Sequence, residues 1–456
     1  MNDEFFYVTF LTIHIVFGVT HIDKIPKAYH RNVCTLIGLV TSVLLTGWDF
    51  VHQLALCSLT IVTIVLHRQT KAFNLYPLLN CIAFGYLFYF RFYCANNFSN
   101  MIMMMLALRM GGLGVELSEP EVRTDSALYE TSIKDIVHYA FSYIGLLAGP
   151  YIRFRTFMDF MDGVCSTTFV QRKPFLMFRL AYFPIFITMF FASIYIAPIQ
   201  PAKTAEFHDE SGFFYTVWYM WVMFVGFRAR LYIGFLLAEC SCIASGLGAY
   251  PEHWVNRSGE GPKFRKILTD GDADRQRELN QLPGEPVQQQ AIDFNTVCNV
   301  DVWGCEGSPT LKETMRSWNQ TVQYWLAVNC YKRAPFNNRS IRMGITLIIS
   351  AFWHGVSPGY YFCFITMVFF ATAEDYLLEH FSEQKLFKIP TRTVQRILFA
   401  QIKMVVVAYL GVAFAMMRLP EIFLFYWNLY FVGHLGVAAI LCYFFVAVKK
   451  SKAHIH

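Results

Sequence analysis

The side chain best placed to do chemistry is His354, in the segment SAFWHGVSPGYYF. No Asp, Glu, Lys or Arg occurs from Met343 to Ala373, so this imidazole sits inside an apolar run. Titratable groups at membrane depth are expensive and are usually functional. An imidazole changes charge near neutral pH, so a functional role is one reading of His354. Gly355, Pro358 and Gly359 break helical continuity just after it. The piece from Met343 to His354 is too short to cross a bilayer alone. Irregular backbone at that depth is tolerated only against protein or a water-filled cavity. A histidine beside such a break is therefore expected to face a cavity. The competing reading is a neutral core histidine bonded to a nearby carbonyl.

Asn319 is the second candidate, in RSWNQTVQYWL. Arg316, Asn319, Gln320 and Gln323 recur at helical spacing and are expected on one helix face, with Trp318, Val322, Trp325 and Leu326 on the other. A polar stripe on an aromatic-rich helix suits the wall of a polar cavity. The alternatives are a face turned to solvent or headgroups, or a glycosylation sequon at Asn319-Gln320-Thr321. The apolar surroundings argue against a glycan. Lys332, Arg333, Arg339 and Arg342 lie between the two candidates. They read either as a cytosolic flank of the next span or as contacts for a phosphorylated ligand. Arg153 and Arg155 follow Gly149-Pro150, a pair that breaks a helix and forces a turn. Arg228 and Arg230, in VGFRARLYIG, read as a positive flank or interfacial snorkel, or as an anion contact.

Several chemistries are not signalled. There is no GxSxG, Walker A or HExxH segment, and no cluster has metal-ligand spacing. No metal and no permanently bound cofactor is expected. His14, His138 and His434 stand alone in apolar runs and are expected to be structural. The twelve cysteines are scattered without a CxxC pair, so no essential disulfide is expected.

These residues must be held by membrane helices. Hydrophobic residues make up 55% of the 456 and charged residues only 15%, against about 25% charged in soluble domains. Charge-free runs such as Phe5–Ile22, Asn32–Trp48, Ala72–Phe90, Leu180–Ile199 and Ile422–Val448 match bilayer-crossing lengths. The expected fold is all-α and polytopic, with about ten to twelve transmembrane or re-entrant helices. No cleavable signal peptide is evident, because Asp3 and Glu4 precede the first apolar run without a basic region. The net charge of +6 speaks to topology rather than to nucleic acid. Lys24, Lys27 and Arg31, then Arg68 and Lys71, then the tail Lys449, Lys450 and Lys452 mark cytosolic segments by the positive-inside rule. One domain is expected over residues 1–456, with a mobile polar loop at about 256–290 that is rich in Gly, Pro, Gln and charge. A transporter would show corresponding broken helices in two halves. The break at Gly355–Gly359 has no such counterpart in the first half.

A histidine in FWHGVSPGYY, preceded by an asparagine in SWNQTVQYWL, resembles the membrane-bound O-acyltransferase (MBOAT) family. LAGPYIRFRTF, at Leu147–Phe157, is similar to that family's Gly-Pro segment. Over FRARLYIGFLLAECSCIASGLGAYP and YWLAVNCYKRAP the chain looks most like members that acylate lysophosphatidylinositol. The resemblance implies transfer of a polyunsaturated acyl chain from acyl-CoA, as co-substrate, to a lysophospholipid hydroxyl in the endoplasmic reticulum membrane. His354 would be the base, and Asn319 would orient the donor or stabilise the oxyanion. Arg316, Trp318, Gln323, Lys332, Arg333, Trp353, Arg153 and Arg155 would contact substrate. The implied partners are acyl-CoA, lysophospholipid and membrane lipid. Another lysophospholipid, a sterol or a protein acceptor remains the alternative.

Overall fold

The structure is a computed structural model that describes residues 2–94, 96–118, 131–164, 166–262, 291–383 and 393–453. Five long helices come first: α1 (Asn2–Thr20), α2 (Lys27–Thr46), α3 (Phe50–Thr70), α4 (Leu75–Tyr93) and α5 (Asn97–Glu116). Then come α6 (Ile133–Phe141), α7 (Phe154–Met161), α8 (Phe169–Leu180), α9 (Phe183–Ile196) and α10 (Ala205–Glu210). Helix α11 (Phe213–Ser245) runs for 33 residues. Four two-residue strands follow, β1 (Tyr250–Pro251), β2 (Asn256–Arg257), β3 (Gly261–Pro262) and β4 (Ile292–Asp293), paired antiparallel as β1–β4 and β2–β3. The remaining helices are α12 (Val302–Gly307), α13 (Leu311–Ser317), α14 (Gln320–Leu326), α15 (Arg339–His354), α16 (Pro358–Glu383), α17 (Thr393–Met416), α18 (Leu419–Asn428) and α19 (Val432–Ala453).

The polytopic helical architecture matches the expectation. Helices win in apolar runs because they satisfy every backbone donor and acceptor internally. Among the described residues, six stretches are long and apolar enough to cross a membrane, or seven if the bent pair α18–α19 is one span; Lys27–Thr70 alone holds both α2 and α3. The apolar parts of α1 and α15, Glu4–Thr20 and Ile341–His354, are shorter. The opening of the expected polar loop, residues 256–262, forms the β2–β3 ladder. Residues 263–290 of that loop lie outside the described residues.

The described chain forms two compact units. The first comprises Met1–Phe183, Ile233–Val300 and Asn319–Lys332; the second comprises Pro184–Tyr232, Asp301–Trp318 and Arg333–His456. Helix α11 therefore contributes to both.

In the first unit, glycines on α5 allow close packing. A Cβ on Gly114 would meet the Tyr76 backbone of α4 at 3.1 Å, and one on Gly112 would meet the Tyr151 hydroxyl at 2.4 Å. Trp325 of α14 settles on this surface, donating from Nε1 to the Leu108 carbonyl at 2.9 Å and stacking on Phe84. Arg109, fully buried in α5, donates to the carbonyls of Tyr139, Ala140 and Ile144 at 2.8, 3.2 and 2.6 Å. Those oxygens lie at the end of α6, where helical partners run out, so the guanidinium caps it.

In the second unit, a core of Met220, Phe224, Tyr409, Ala413, Phe425 and Tyr426 joins α11, α17 and α18. Gly359, one residue into α16, brings that helix against the end of α17. Its N–H donates to the Met417 carbonyl at 2.9 Å, and a Cβ there would lie 2.2 Å from the Ala413 oxygen.

Candidate active site

His354 is the last residue of α15. Gly355–Ser357 form the break, and Pro358 opens α16, where a missing N–H is harmless. A Cβ on Gly355 would meet the Tyr360 ring at 2.4 Å, so this glycine lets the two helix ends close on each other. The imidazole is half-buried among aromatic rings of its own unit. Trp353 lies at 4.8 Å between centroids, Phe414 at 5.1 Å edge-on, Phe364 at 5.5 Å stacked and Tyr360 at 5.9 Å. These rings restrict how the imidazole can turn, and the residue stays partly exposed.

Asn319 belongs to the first unit and is held very differently. The expected continuous polar face from Arg316 to Gln323 does not form. Helix α13 stops at Ser317, Trp318 is extended, and Asn319 adopts a left-handed conformation at φ 45° and ψ 50°. The physical reason is competition for backbone partners. The Ser317 carbonyl accepts the Asp301 N–H at 2.9 Å, and the Gln320 N–H donates to the Asn299 carbonyl at 2.7 Å. A continuous helix would have needed both groups. Asparagine tolerates the left-handed region better than most residues, which suits it to this turn.

Asn319 occupies the N-cap position of α14, yet its side chain makes no cap hydrogen bond. Its Oδ1 is buried and has no hydrogen-bond partner among the described residues. A capping asparagine would turn that oxygen onto the first-turn N–H groups. A buried carbonyl left unmatched costs about 1–3 kcal/mol, and a non-glycine residue in this backbone region adds a similar cost. Such unfavourable features cluster at functional sites.

A buried polar chain fixes the turn. Glu239 on α11, 1% exposed, accepts the N–H groups of Asn299 and Val300 at 2.7 and 2.9 Å and pairs with Arg179 Nε at 2.7 Å. Asn299 Oδ1 accepts the Thr321 hydroxyl at 2.6 Å, and Thr321 Oγ1 accepts the Tyr151 N–H at 2.9 Å. Thr321 is wholly buried, which removes the glycosylation reading of Asn319. Burial, with the charge of Glu116 adding to it, pushes the Tyr151 phenol well above its usual range, so it stays protonated.

The other candidates distribute as follows. Gln323 lies on α14 in the first unit, half-buried. Trp353 is buried beside His354. Arg316 and Trp318 belong to the second unit, Arg316 exposed and Trp318 half-buried. Lys332, in the first unit, and Arg333, in the second, are both exposed. Arg153 pairs with Glu116 at 3.4 Å and donates to the Glu260 carbonyl at 3.3 Å. Glu116 also accepts the N–H groups of Phe154 and Arg155, so it caps α7. The lone histidines are partnered as structural residues are: His14 with Thr41 at 3.0 Å, His138 with Thr35 at 2.7 Å and His434 with Tyr409 at 2.6 Å. Sequence reasoning missed Glu239, Asn299 and Thr321. Glu239 carried a usable signal, as a single acid in the apolar run LLAECSCIAS.

A broken helix ending in a histidine, together with an uncapped left-handed asparagine, sits in a chain whose residues 41–419 match the family model described as MBOAT, membrane-bound O-acyltransferase family. The chain belongs to the membrane-bound O-acyltransferase family, a class of acyltransferase enzymes. It is 30% identical to the membrane-bound acylglycerophosphatidylinositol O-acyltransferase frj of Drosophila melanogaster, over 99% of this chain and 94% of that protein. It is 28% identical to the membrane-bound acylglycerophosphatidylinositol O-acyltransferase mboat7 of Danio rerio, over 96% and 92% respectively. With the human MBOAT7 of the same description it shares 27% identity, over 82% and 79%.

Proposed function

We propose that this enzyme acylates lysophosphatidylinositol, using a polyunsaturated acyl-CoA, and so remodels phosphatidylinositol in the endoplasmic reticulum membrane. The acceptor assignment is supported by near-full-length similarity to relatives named for acylglycerophosphatidylinositol. The observation that carries the mechanism is the Asn319 side chain, whose Oδ1 is buried and not spent on capping.

In this reading His354 takes the proton from the lysolipid hydroxyl as its oxygen attacks the thioester carbonyl. The C–O bond forms, the C–S bond breaks, and the imidazolium returns its proton to the leaving CoA thiolate. Asn319 meets the developing oxyanion through its amide N–H, or orients the acyl donor. Thioesters are already activated, so direct transfer suffices without an acyl-enzyme. The test is turnover by the purified protein across several lysolipid headgroups and acyl-CoAs. Preference for lysophosphatidylinositol supports the assignment. Equal turnover of lysophosphatidylcholine overturns the acceptor, and absence of any acyl transfer overturns the reaction.

A further inference from the structure

Arg228 is not accounted for by that mechanism. The expectation of a flanking or snorkelling arginine does not hold, because α11 continues unbroken through it and the residue is 6% exposed. Its Nε lies 3.1 Å from Glu306 Oε1, and that same oxygen also accepts the Tyr232 hydroxyl at 2.8 Å. The guanidinium rests over the Phe224 ring, 5.8 Å from its centroid. Nη1 is buried and has no hydrogen-bond partner among the described residues. The other buried cation nearby, Lys403, donates to the Cys305 carbonyl at 2.6 Å. Arg228 is thus the cation here with a buried donor still unmatched.

Its neighbours within the second unit connect it to His354. Phe227, the preceding residue, packs against Phe414 at 5.8 Å, and Phe414 packs against His354 at 5.1 Å. Tyr232, bonded to the same Glu306 oxygen, packs against Trp318 at 5.4 Å. A planar guanidinium with a free edge is suited to oxyanions, above all phosphate.

We propose that Arg228 binds the phosphodiester of the lysophospholipid acceptor. This rests on the reading of the chain as a lysophospholipid acyltransferase. In such an acceptor the phosphate lies only a few bonds from the glycerol hydroxyl that is acylated. The cation that holds it must therefore lie near the base. The phosphates of CoA are separated from the thioester by the whole pantetheine arm. Glu306 and Tyr232 act as positioning residues that hold the guanidinium between substrate encounters.

The experiment compares purified full-length wild type with Arg228→Gln and Arg228→Lys, using lysophosphatidylinositol, lysophosphatidate and phosphate-free 1-acylglycerol as acceptors. Wild type is expected to favour both phosphorylated acceptors over 1-acylglycerol by about 10-fold or more in kcat/KM, from loss of a charge-assisted contact. Arg228→Gln is expected to lose that discrimination through a higher KM for lysophospholipid, with KM for acyl-CoA unchanged, and Arg228→Lys to recover part of it. Three results overturn the proposal: equal use of 1-acylglycerol by wild type, unchanged acceptor KM in a variant that melts like wild type, or a rise confined to the acyl-CoA KM. The wild-type comparison decides even if Arg228→Gln does not fold. Turnover of lysophosphatidylinositol by wild type keeps the enzyme assignment standing whichever way Arg228 falls.

Discussion

His354 and Asn319 are held by opposite kinds of surroundings. Rings surround the histidine, with Trp353, Tyr360, Phe364 and Phe414 packed on its imidazole. The asparagine is held by polar bonds, through a buried chain that runs from Arg179 and Glu239 through Asn299 to Thr321. Ring packing is non-directional and tolerates change of shape better than change of volume. A buried hydrogen-bond chain is directional, and removing one member leaves another unsatisfied. In the proposed mechanism a proton acceptor oriented by rings can work within the first kind of surrounding. An oxyanion donor, which must be aimed before the reaction, needs the second.

The comparison can be broken at its strongest point first. His354→Ala is expected to lower turnover by about 10²–10⁴-fold, the usual worth of general base catalysis, while acyl-CoA binding persists. Wild-type-like turnover in a well-folded variant would remove His354 from the mechanism. Asn319→Ala should cost about 10²–10³-fold in kcat, comparable to loss of an oxyanion donor. Asn319→Gly sharpens this result. It relieves the left-handed backbone and removes the unmatched oxygen, so the variant should melt no lower than wild type yet be equally impaired. An Asn319→Gly protein that loses stability would assign the residue to folding.

Thr321→Val should destabilise by about 1–3 kcal/mol, read as a lower melting temperature, because Asn299 loses its buried donor. Its kcat should also fall, by roughly 10-fold, as the turn loosens. The smallest effect is expected at the aromatic box. Phe414→Leu preserves an apolar wall and should change turnover by only about 3-fold. If Phe414→Leu proves more damaging than Thr321→Val, the contrast between the two surroundings is wrong.

Part of this was legible in sequence. The break after His354 could be read because Gly355, Pro358 and Gly359 announce it through backbone chemistry. The break before Asn319 could not, because Ser317-Trp318-Asn319 contains neither Gly nor Pro. The periodicity of Arg316, Asn319 and Gln323 was real spacing without a shared helix, since residues distant in the chain claimed the backbone partners. The flanking reading of Arg228 fails for a related reason. Where charge-free runs mark helices a charge marks a boundary, whereas α11 passes through Arg228, Arg230 and Glu239 without interruption. The pairing of Glu239 with backbone near residue 300 is a long-range contact with no local trace.

The three-segment composition of each unit has a consequence for biosynthesis. Helices α1 to α8 emerge from the ribosome long before Asn319–Lys332, yet that late segment belongs to their unit. Trp325, which fills the surface around Gly111 and Gly112 of α5, arrives only then. Until it does, Gly111 and Gly112 have only Asn80 and Tyr151 of the early segment against them. The first unit therefore cannot complete its packing until the last of its three segments has been synthesised.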